Sequence, residues 1–257
     1  MLFLLSPAKT LDYETPATTD KTTTPQFVAQ SAELIALLRP KSAAQIARLM
    51  DLSAPLAELN VARYAAWRPR FTAHNSKQAV LAFDGDVYDG LDATSLSEVD
   101  LAWAQQHVAI LSGLYGVLRP LDRMQPYRLE MGTALRNPRG KDLYAFWADI
   151  VTPHLNHRLR GDKPPIVVNL ASQEYFGVVR RKALRARLID CVFEDWKGGG
   201  YKVIGFFAKR ARGLMARHAI LNRLSSPDGL ARFALDGYRL DPSVSKPDRL
   251  VFRRRVE

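Results

Sequence analysis

Polar and ionisable side chains follow three apolar segments of this sequence, at the points where strands of a sheet would end. Because the carboxyl ends of parallel strands meet at one edge of a sheet, we expect these side chains to converge there. Convergent polar groups at such an edge are typical of a ligand pocket or an active site. The side chains are Ser6 and Lys9 after residues 1–5, Asp86 and Tyr88 after residues 78–83, and Asn169 and Glu174 after residues 165–170.

Arg128 and Glu130 extend this candidate pocket. They alternate with Tyr127 and Leu129, so an extended backbone would place both charged side chains on one face. We expect the charges of the pocket to be paired, because an isolated charge is costly to bury. The alternative is purely structural, with turns at the strand ends, a helix N-cap at Ser172 and stable ion pairs. The candidate pocket comprises Ser6, Lys9, Asp86, Tyr88, Arg128, Glu130, Asn169 and Glu174.

Three familiar catalytic or metal-binding patterns do not fit these segments. Ser6 and Lys9 have the Ser-x-x-Lys spacing of some acyl-transfer enzymes, but Pro7 and the residues after Lys9 do not resemble the helix that this motif requires. The same segment lacks the glycines of a phosphate-binding P-loop. Residues 84–89 lack the spacing of an EF-hand, and aspartates beside glycines more often form turns. The sequence therefore predicts neither a bound metal nor a cofactor.

Residues 111–122 (LSGLYGVLRPLD) form the most unusual segment of the chain. Gly113 and Gly116 allow the backbone to turn sharply or to approach a ligand closely. A glycine-containing hairpin between two helices presents backbone N–H groups to a phosphate, and Gly113, Tyr115, Gly116 and Arg119 would then contact DNA. The alternative is a tight turn that connects two buried elements, since isolated glycines usually mark turns.

Positive charge is concentrated in the second half of the chain. Residues 1–128 hold 12 Lys and Arg against 13 Asp and Glu, whereas residues 129–257 hold 25 against 13. This asymmetry favours a face that binds a polyanion, although a run of basic residues is also typical of a solvated surface. The cations that we expect to contact DNA are Arg180, Arg181, Lys182, Lys209, Arg210, Arg212 and Arg217.

The elements that position these residues alternate between strands and helices. We expect helices at 42–50, 54–68, 100–106, 142–158 and 209–224, and another that begins after Pro25. We expect strands at 1–5, 78–83, 107–111, 165–170, 183–193 and 201–207, the last two forming an antiparallel hairpin. The irregular alternation predicts the α/β class, mixed α+β in character. We expect one mixed sheet flanked by helices in a single domain over residues 1–257.

The composition indicates a cytoplasmic protein with no membrane segment. The first apolar run is too short for a signal peptide and lacks a basic region before it, and no run approaches the length of a membrane span. A single cysteine, Cys191, cannot form an internal disulfide, which agrees with a reducing compartment.

Seven segments together resemble the YaaA family of peroxide-stress proteins. They are residues 6–11 (SPAKTL), 85–88 (GDVY), 111–122, 126–132 (PYRLEMG), 169–172 (NLAS), 174–176 (EYF) and 208–213 (AKRARG). The resemblance implies a bacterial cytoplasmic protein that is induced by hydrogen peroxide and limits damage from unincorporated iron. It also implies a fold peculiar to the family, a positively charged cleft, and a helix-hairpin-helix element that binds duplex and branched DNA. It carries over no catalytic residues.

Two hypotheses follow for the function of this protein. The first is a DNA-binding protein that is not an enzyme and protects DNA when iron and peroxide generate radicals; the basic half of the chain supports it. The second is an enzyme that acts on a nucleotide or nucleic acid in the candidate pocket, and the polar residues at the strand ends support it.

Overall fold

The computed structural model of the protein describes residues 1–255. A mixed sheet of eight strands is surrounded by helices, and two pairs of short strands lie outside it. The strands are β1 (Leu2–Leu5), β2 (Thr10–Leu11), β3 (Lys77–Gln78), β4 (Phe83–Asp84), β5 (Val108–Ser112), β6 (Gly116–Leu118), β7 (Arg123–Met124), β8 (Ile166–Asn169), β9 (Arg187–Trp196), β10 (Tyr201–Lys202), β11 (Arg239–Leu240) and β12 (Arg249–Arg254). The helices are α1 (Val28–Leu38), α2 (Ala43–Met50), α3 (Ala54–Ala66), α4 (Ala79–Ala82), α5 (Asp86–Leu91), α6 (Glu98–His107), α7 (Leu143–Arg158), α8 (Gln173–Phe176), α9 (Gly205–Leu221) and α10 (Asp228–Ala231).

The main sheet confirms the predicted mixed α/β class. Its strands lie in the order β11-β12-β9-β8-β1-β5-β6, and β10 also pairs with β9. The strands β12, β9, β8, β1 and β5 are parallel to their neighbours, whereas β6, β10 and β11 run antiparallel. The central strands β1, β5 and β8 are almost entirely apolar and buried, as strands covered by helices on both faces must be.

Two predicted strands are largely helical in the structure. Residues 78–83 form the single turn α4 between two-residue strands, because a short apolar run has no periodicity that separates a buried strand from a buried helix. Residues 201–207 remain extended only at β10, since α9 already begins at Gly205. The predicted β9–β10 hairpin is confirmed, and α9 is longer at its N-terminus than the sequence suggested.

The glycine-rich turn at residues 113–116 joins two strands, β5 and β6, so the helix-hairpin-helix placement at this position is wrong. A Cβ at Gly113 would lie 2.1 Å from the carbonyl oxygen of Leu129, and Gly116 has a φ of +67° against the Trp147 ring. Tyr115 is completely buried, and its hydroxyl accepts a hydrogen bond from Trp67. The glycines therefore serve close packing inside the protein, which is the tight-turn alternative.

Helices α5 and α9 cross in direct backbone contact. A Cβ at Gly90 of α5 would lie 2.1 Å from the carbonyl oxygen of Arg210, and one at Gly213 of α9 would lie 1.8 Å from that of Val87. Only glycine on both helices allows this approach. The contact holds the basic stretch of α9 over the carboxyl edge of the sheet. Within residues 1–255, no helix has the length and apolar character that crossing a membrane would require.

Candidate functional site

A crevice opens at the carboxyl edge of the main sheet, between β1 and β8. These strands are parallel neighbours, and the sheet continues from them on opposite sides. The next strand of the sheet after β1 is β5, on one side, and the next after β8 is β9, on the other. Such a reversal of strand order separates the loops that follow the two strands. It is the usual position of ligands in open α/β sheets.

The crevice has a volume of about 500 Å³ and is lined by four separate segments. Two of them are the loops after β1 and β8, and the others are the start of α5 and the middle of α9. The polar side chains that line it are Ser6, Lys9, Thr10, Asp84, Asp86, Ser172, Glu174, Tyr175, Lys209 and Arg212. Four residues of the predicted pocket, Ser6, Lys9, Asp86 and Glu174, therefore share one cavity.

Hydrogen bonds fix the two loops that form the floor of the crevice. The Ser6 hydroxyl oxygen accepts a hydrogen bond from the backbone N–H of Ser172 at 2.9 Å. Ser172 in turn caps α8. The Tyr88 hydroxyl, which lies outside the cavity lining, donates to the backbone carbonyl of Ser6 at 3.1 Å. Burial raises the pKa of Tyr88, so it remains a protonated donor. Tyr88 positions the loop and does not line the cavity.

Arg128 and Glu130 lie at the rim and carry paired charges. Glu130 accepts hydrogen bonds from Arg128 at 2.9 and 3.2 Å, and its other oxygen lies 3.2 Å from the Lys9 ammonium group. Glu174 accepts a hydrogen bond from the backbone N–H of Gly132 at 2.9 Å, which ties the same segment to α8. The predicted pocket therefore holds a chain of ion pairs at its rim, while Arg128 and Glu130 stay outside the cavity lining.

Asn169 faces a different cavity from the other predicted pocket residues. Its side-chain amide donates to Asp190 at 2.8 Å and accepts from the backbone N–H of Ala171 at 3.0 Å. It lines a second cavity of about 780 Å³ beside β9, which we term the adjoining groove. Arg212 lines both the crevice and the adjoining groove, so this side chain forms part of the wall between them.

Most of the cations that the sequence assigns to DNA are already engaged within the protein. Arg119 pairs with Asp122, Arg180 pairs with Asp149, and Arg181 lies over the Phe176 ring. The Arg217 guanidinium donates to the carbonyl groups of Leu91 and Asp92 at the end of α5, which makes it a structural contact. Arg181 and Lys209 are exposed but lie within 4 Å of Asp190 and Asp86. The expected DNA contacts that are exposed and form no ion pair among the described residues are Lys182 and Arg210.

The β9–β10 hairpin and the start of α9 form an exposed surface on which Arg210 was expected to contact DNA, but Lys197 and Lys202 were not. We term it the basic hairpin surface and define it by Lys197, Lys202, Val203, Phe206 and Arg210. Val203 and Phe206 are 52% and 57% exposed. Within residues 1–255, no carboxylate oxygen lies within 4 Å of the side-chain nitrogen atoms of Lys197, Lys202 or Arg210. The Gly198–Gly200 turn and the exposed aromatic residue were the available signals in the sequence.

A second overlooked element is the helical hairpin formed by α2 and α3. Only three residues connect these helices, and Asp51 among them adopts the left-handed conformation. The Ser53 side chain makes no capping hydrogen bond, and Pro55 has no backbone N–H, so the N–H groups of Ala54 and Leu56 at the start of α3 are left to solvent. The signal in the sequence was the Ser-Ala-Pro start of α3, which marks a helix N-terminus.

The single cysteine is poorly placed for peroxide chemistry. Cys191 is buried in β9, and burial raises the pKa of its thiol. Peroxide reacts with a thiolate, so this group is not activated for oxidation. Among the residues that the structure describes, no three His, Cys, Asp or Glu side chains are grouped so that they could hold a metal ion.

Comparison with known proteins agrees with the family resemblance of the sequence motifs. A family model described as "Peroxide stress protein YaaA" matches residues 1–244. A UPF0246 protein of Methylibium petroleiphilum is 64% identical over 256 residues, which cover 100% of both chains. UPF0246 proteins of Verminephrobacter eiseniae and Leptothrix cholodnii are each 65% identical, over 99% of this chain and 98% of theirs. The chain belongs to the YaaA family of peroxide stress proteins.

Proposed function

We propose that this peroxide stress protein binds duplex and branched DNA in the cytoplasm and limits the oxidative damage that iron and peroxide inflict on it. The observation that carries the proposal is the basic hairpin surface, where exposed cations have no carboxylate partner among the described residues. Elsewhere on the molecule, many arginines form ion pairs or donate to backbone carbonyls. Unneutralised cations on one surface attract a polyanion, and the phosphate backbone of DNA is an abundant one in the cell.

Aromatic side chains reinforce the basic hairpin surface as a nucleic-acid contact. Phe206 is exposed and lies one helical turn before Arg210 on α9. Trp196, directly before the hairpin turn, is 36% exposed and lies against Arg255. Exposed rings beside cations stack on unpaired bases, which branched DNA offers at its junctions. The combination supports binding to both the duplex and its branched forms.

The helix-hairpin-helix element that the family resemblance implies fits α2 and α3. The exposed N–H groups at the start of α3 and the positive end of its helix dipole form an anion-binding arrangement. Among the described residues, α2 and α3 have the shortest connection between two helices of eight or more residues. We assign the second phosphate contact to this hairpin.

Replacing Ala54 with glutamate tests the second phosphate contact without weakening the fold. An acidic residue in the first turn of α3 complements the helix dipole and stabilises the helix by about 0.3–1 kcal/mol. The same charge repels a phosphate at that position. We expect duplex affinity to fall about tenfold, or about 1.4 kcal/mol, at low salt, while the melting temperature is unchanged or higher.

The matched control is Ala44→Glu, which places the same charge in the exposed first turn of α2, at the far end of that helix. Both affinities are measured by fluorescence anisotropy with one labelled duplex. Equal affinities of the two variants would remove the α2–α3 hairpin from the interface.

Protection of DNA follows from the exchange of cations at the phosphates. Lys and Arg side chains release the cations condensed on DNA when they bind. Ferrous iron held at phosphates is released in the same way, so the hydroxyl radical that it forms from peroxide arises farther from the backbone. In a plasmid-nicking assay with ferrous iron and hydrogen peroxide, we expect fewer nicks as the protein approaches saturation. Equal nicking with saturating protein and with serum albumin would contradict the protective role.

A further inference from the structure

Arg212 is a cation without a counter-charge, in the wall between the crevice and the adjoining groove. It is half-buried, and burial lowers the pKa of its guanidinium group. No carboxylate oxygen in residues 1–255 lies within 4 Å of it, and no described residue accepts a hydrogen bond from it. An uncompensated charge in such a position costs free energy that a bound anion would offset. The arrangement therefore points to an anionic ligand.

The neighbours of Arg212 select a phosphate group as that anion. A guanidinium group binds phosphate oxygens through two parallel hydrogen bonds. Lys209 lies one turn earlier on α9 and lines the same crevice, where it is 3.9 Å from Asp86. The hydroxyl groups of Ser6 and Ser172 also line it and can donate to phosphate oxygens.

Carboxylates that also line the crevice limit how much negative charge the ligand can carry. Asp84, Asp86 and Glu174 line the crevice with the two cations of α9. They repel an extended polyphosphate, and they accept hydrogen bonds from hydroxyl or amino groups. The crevice thus suits one phosphate group on a molecule that also carries hydrogen-bond donors.

The adjoining groove provides space and chemistry for a nucleobase. Phe176, Val192 and Val203 contribute apolar surface, and Asn169 and Gln173 contribute amide groups that can donate and accept hydrogen bonds. The groove and the crevice, about 780 and 500 Å³, fall in the size range of small-molecule sites. Because Arg212 lines both, one ligand can place its phosphate at this side chain and extend its base into the groove.

We propose that the crevice and the adjoining groove bind a nucleotide through its phosphate monoester, with Arg212 as the main phosphate contact. The nucleotide is either a free 5′-mononucleotide or the 5′-phosphorylated end of a DNA strand, because both present the same group. The site shares Val203 with the basic hairpin surface, but none of the three cations of that surface lines either cavity. Binding of mononucleotides is measured without DNA, so its failure and the failure of duplex binding are distinguishable.

Calorimetric titration with the four 5′-deoxymononucleotides tests the proposal, with the corresponding nucleosides as the comparison. We expect saturable binding of at least one mononucleotide, and binding at least tenfold weaker for its nucleoside. Arg212→Met should weaken mononucleotide binding about 10- to 100-fold, as expected for loss of a hydrogen-bonded ionic contact. Arg232→Met, which removes an exposed arginine outside both cavities, should leave it unchanged.

Melting curves separate a ligand contact from a structural role of Arg212. Because this side chain has no internal partner among the described residues, Arg212→Met should melt at the wild-type temperature or higher, and only the wild type should gain stability from the mononucleotide. Competition then identifies the source of the phosphate. Displacement by a 5′-phosphorylated oligonucleotide but not by its 5′-hydroxyl form assigns the site to DNA ends. Displacement by neither assigns it to free nucleotides.

Three results would overturn the proposal. They are the absence of binding for all four mononucleotides at millimolar concentration, equal affinity for a mononucleotide and its nucleoside, and unchanged mononucleotide affinity in Arg212→Met.

Discussion

Charge reversal of Lys197, Lys202 and Arg210 is expected to abolish duplex binding at physiological salt. Each cation of the basic hairpin surface neutralises a phosphate and releases a condensed counterion, and a glutamate in its place repels that phosphate. If the wild type neutralises about five phosphates, its affinity should fall by roughly two to three decades between about 50 and 200 mM salt. The triple variant should lose most of this salt dependence together with its affinity.

The fold should survive these three substitutions because the side chains are exposed and unpaired among the described residues. A control triple variant, with glutamate at Lys141, Arg160 and Arg232, lowers the net charge by the same amount at exposed positions elsewhere. Anisotropy titrations of a labelled duplex at several salt concentrations compare the two. Equal weakening in both variants would show that net charge, and not this surface, drives binding. Wild-type affinity in the first variant would place the interface elsewhere.

Replacing Gly213 with valine is expected to destabilise the protein by about 3 kcal/mol or more, which is at the upper end for overpacking substitutions. The new Cβ would lie 1.8 Å from the carbonyl oxygen of Val87 and 2.8 Å from the backbone nitrogen of Leu91. Both atoms belong to the backbone of α5, so no side-chain rotation relieves the overlap. Helices α5 and α9 must separate, and the crevice that they line with Asp86, Lys209 and Arg212 must open.

Urea unfolding monitored by circular dichroism measures this loss against a matched glycine in the same helix. Gly205 begins α9, and outside the adjacent residues and the helix's own backbone no atom lies within 4 Å of the position that a Cβ would take there. Gly205→Ala should therefore be neutral or stabilising by up to about 1 kcal/mol. A midpoint for Gly213→Val close to that of the wild type would mean that α5 and α9 do not touch through their backbones.

The nucleotide proposal and the duplex proposal concern different groups of the same helix and have different readouts. Arg210 and Arg212 are two residues apart on α9, yet the first is exposed and the second is half-buried and lines the crevice and the adjoining groove. Sequence alone assigns both to one basic cluster. Their separation follows from the helical rotation of about 200° between residues two apart, which turns neighbouring cations toward different surroundings.

Sequence reasoning located the central strands and the crevice well because both depend on local signals. The apolar runs that became β1, β5 and β8 are long enough to be recognised, and the polar residues after them are fixed in position by the chain itself. Ser6, Lys9 and Glu174 therefore reach one cavity as expected. Asp86 follows the run at residues 78–83, which is not a strand of the main sheet, and it reaches the cavity at the start of α5 instead. Asn169 follows β8 just as directly, but its amide bonds to Asp190 on β9 and turns it into the adjoining groove.

The errors arose where a distant part of the chain decides the local structure. The apolar run at residues 78–83 forms a helical turn, and periodicity over so few residues cannot separate the two structures. The glycines at 113 and 116 look like a phosphate-binding turn until Leu129 and Trp147 are seen to fill the space beside them. Neither neighbour is close in sequence, so no local pattern could reveal the packing.

The family, the mixed α/β class, the basic second half and the polar residues at the strand ends were all predictable from the amino-acid sequence. These properties are carried by residue types and short-range order along the chain. Which cations are free emerged only from the packing of the folded chain. Arg119, Arg180 and Arg217 are satisfied by carboxylates or carbonyls, whereas Arg212 faces two cavities without a described partner. A charge is neutralised by whatever the fold brings within a few ångströms of it, and its neighbours in space need not be its neighbours in sequence.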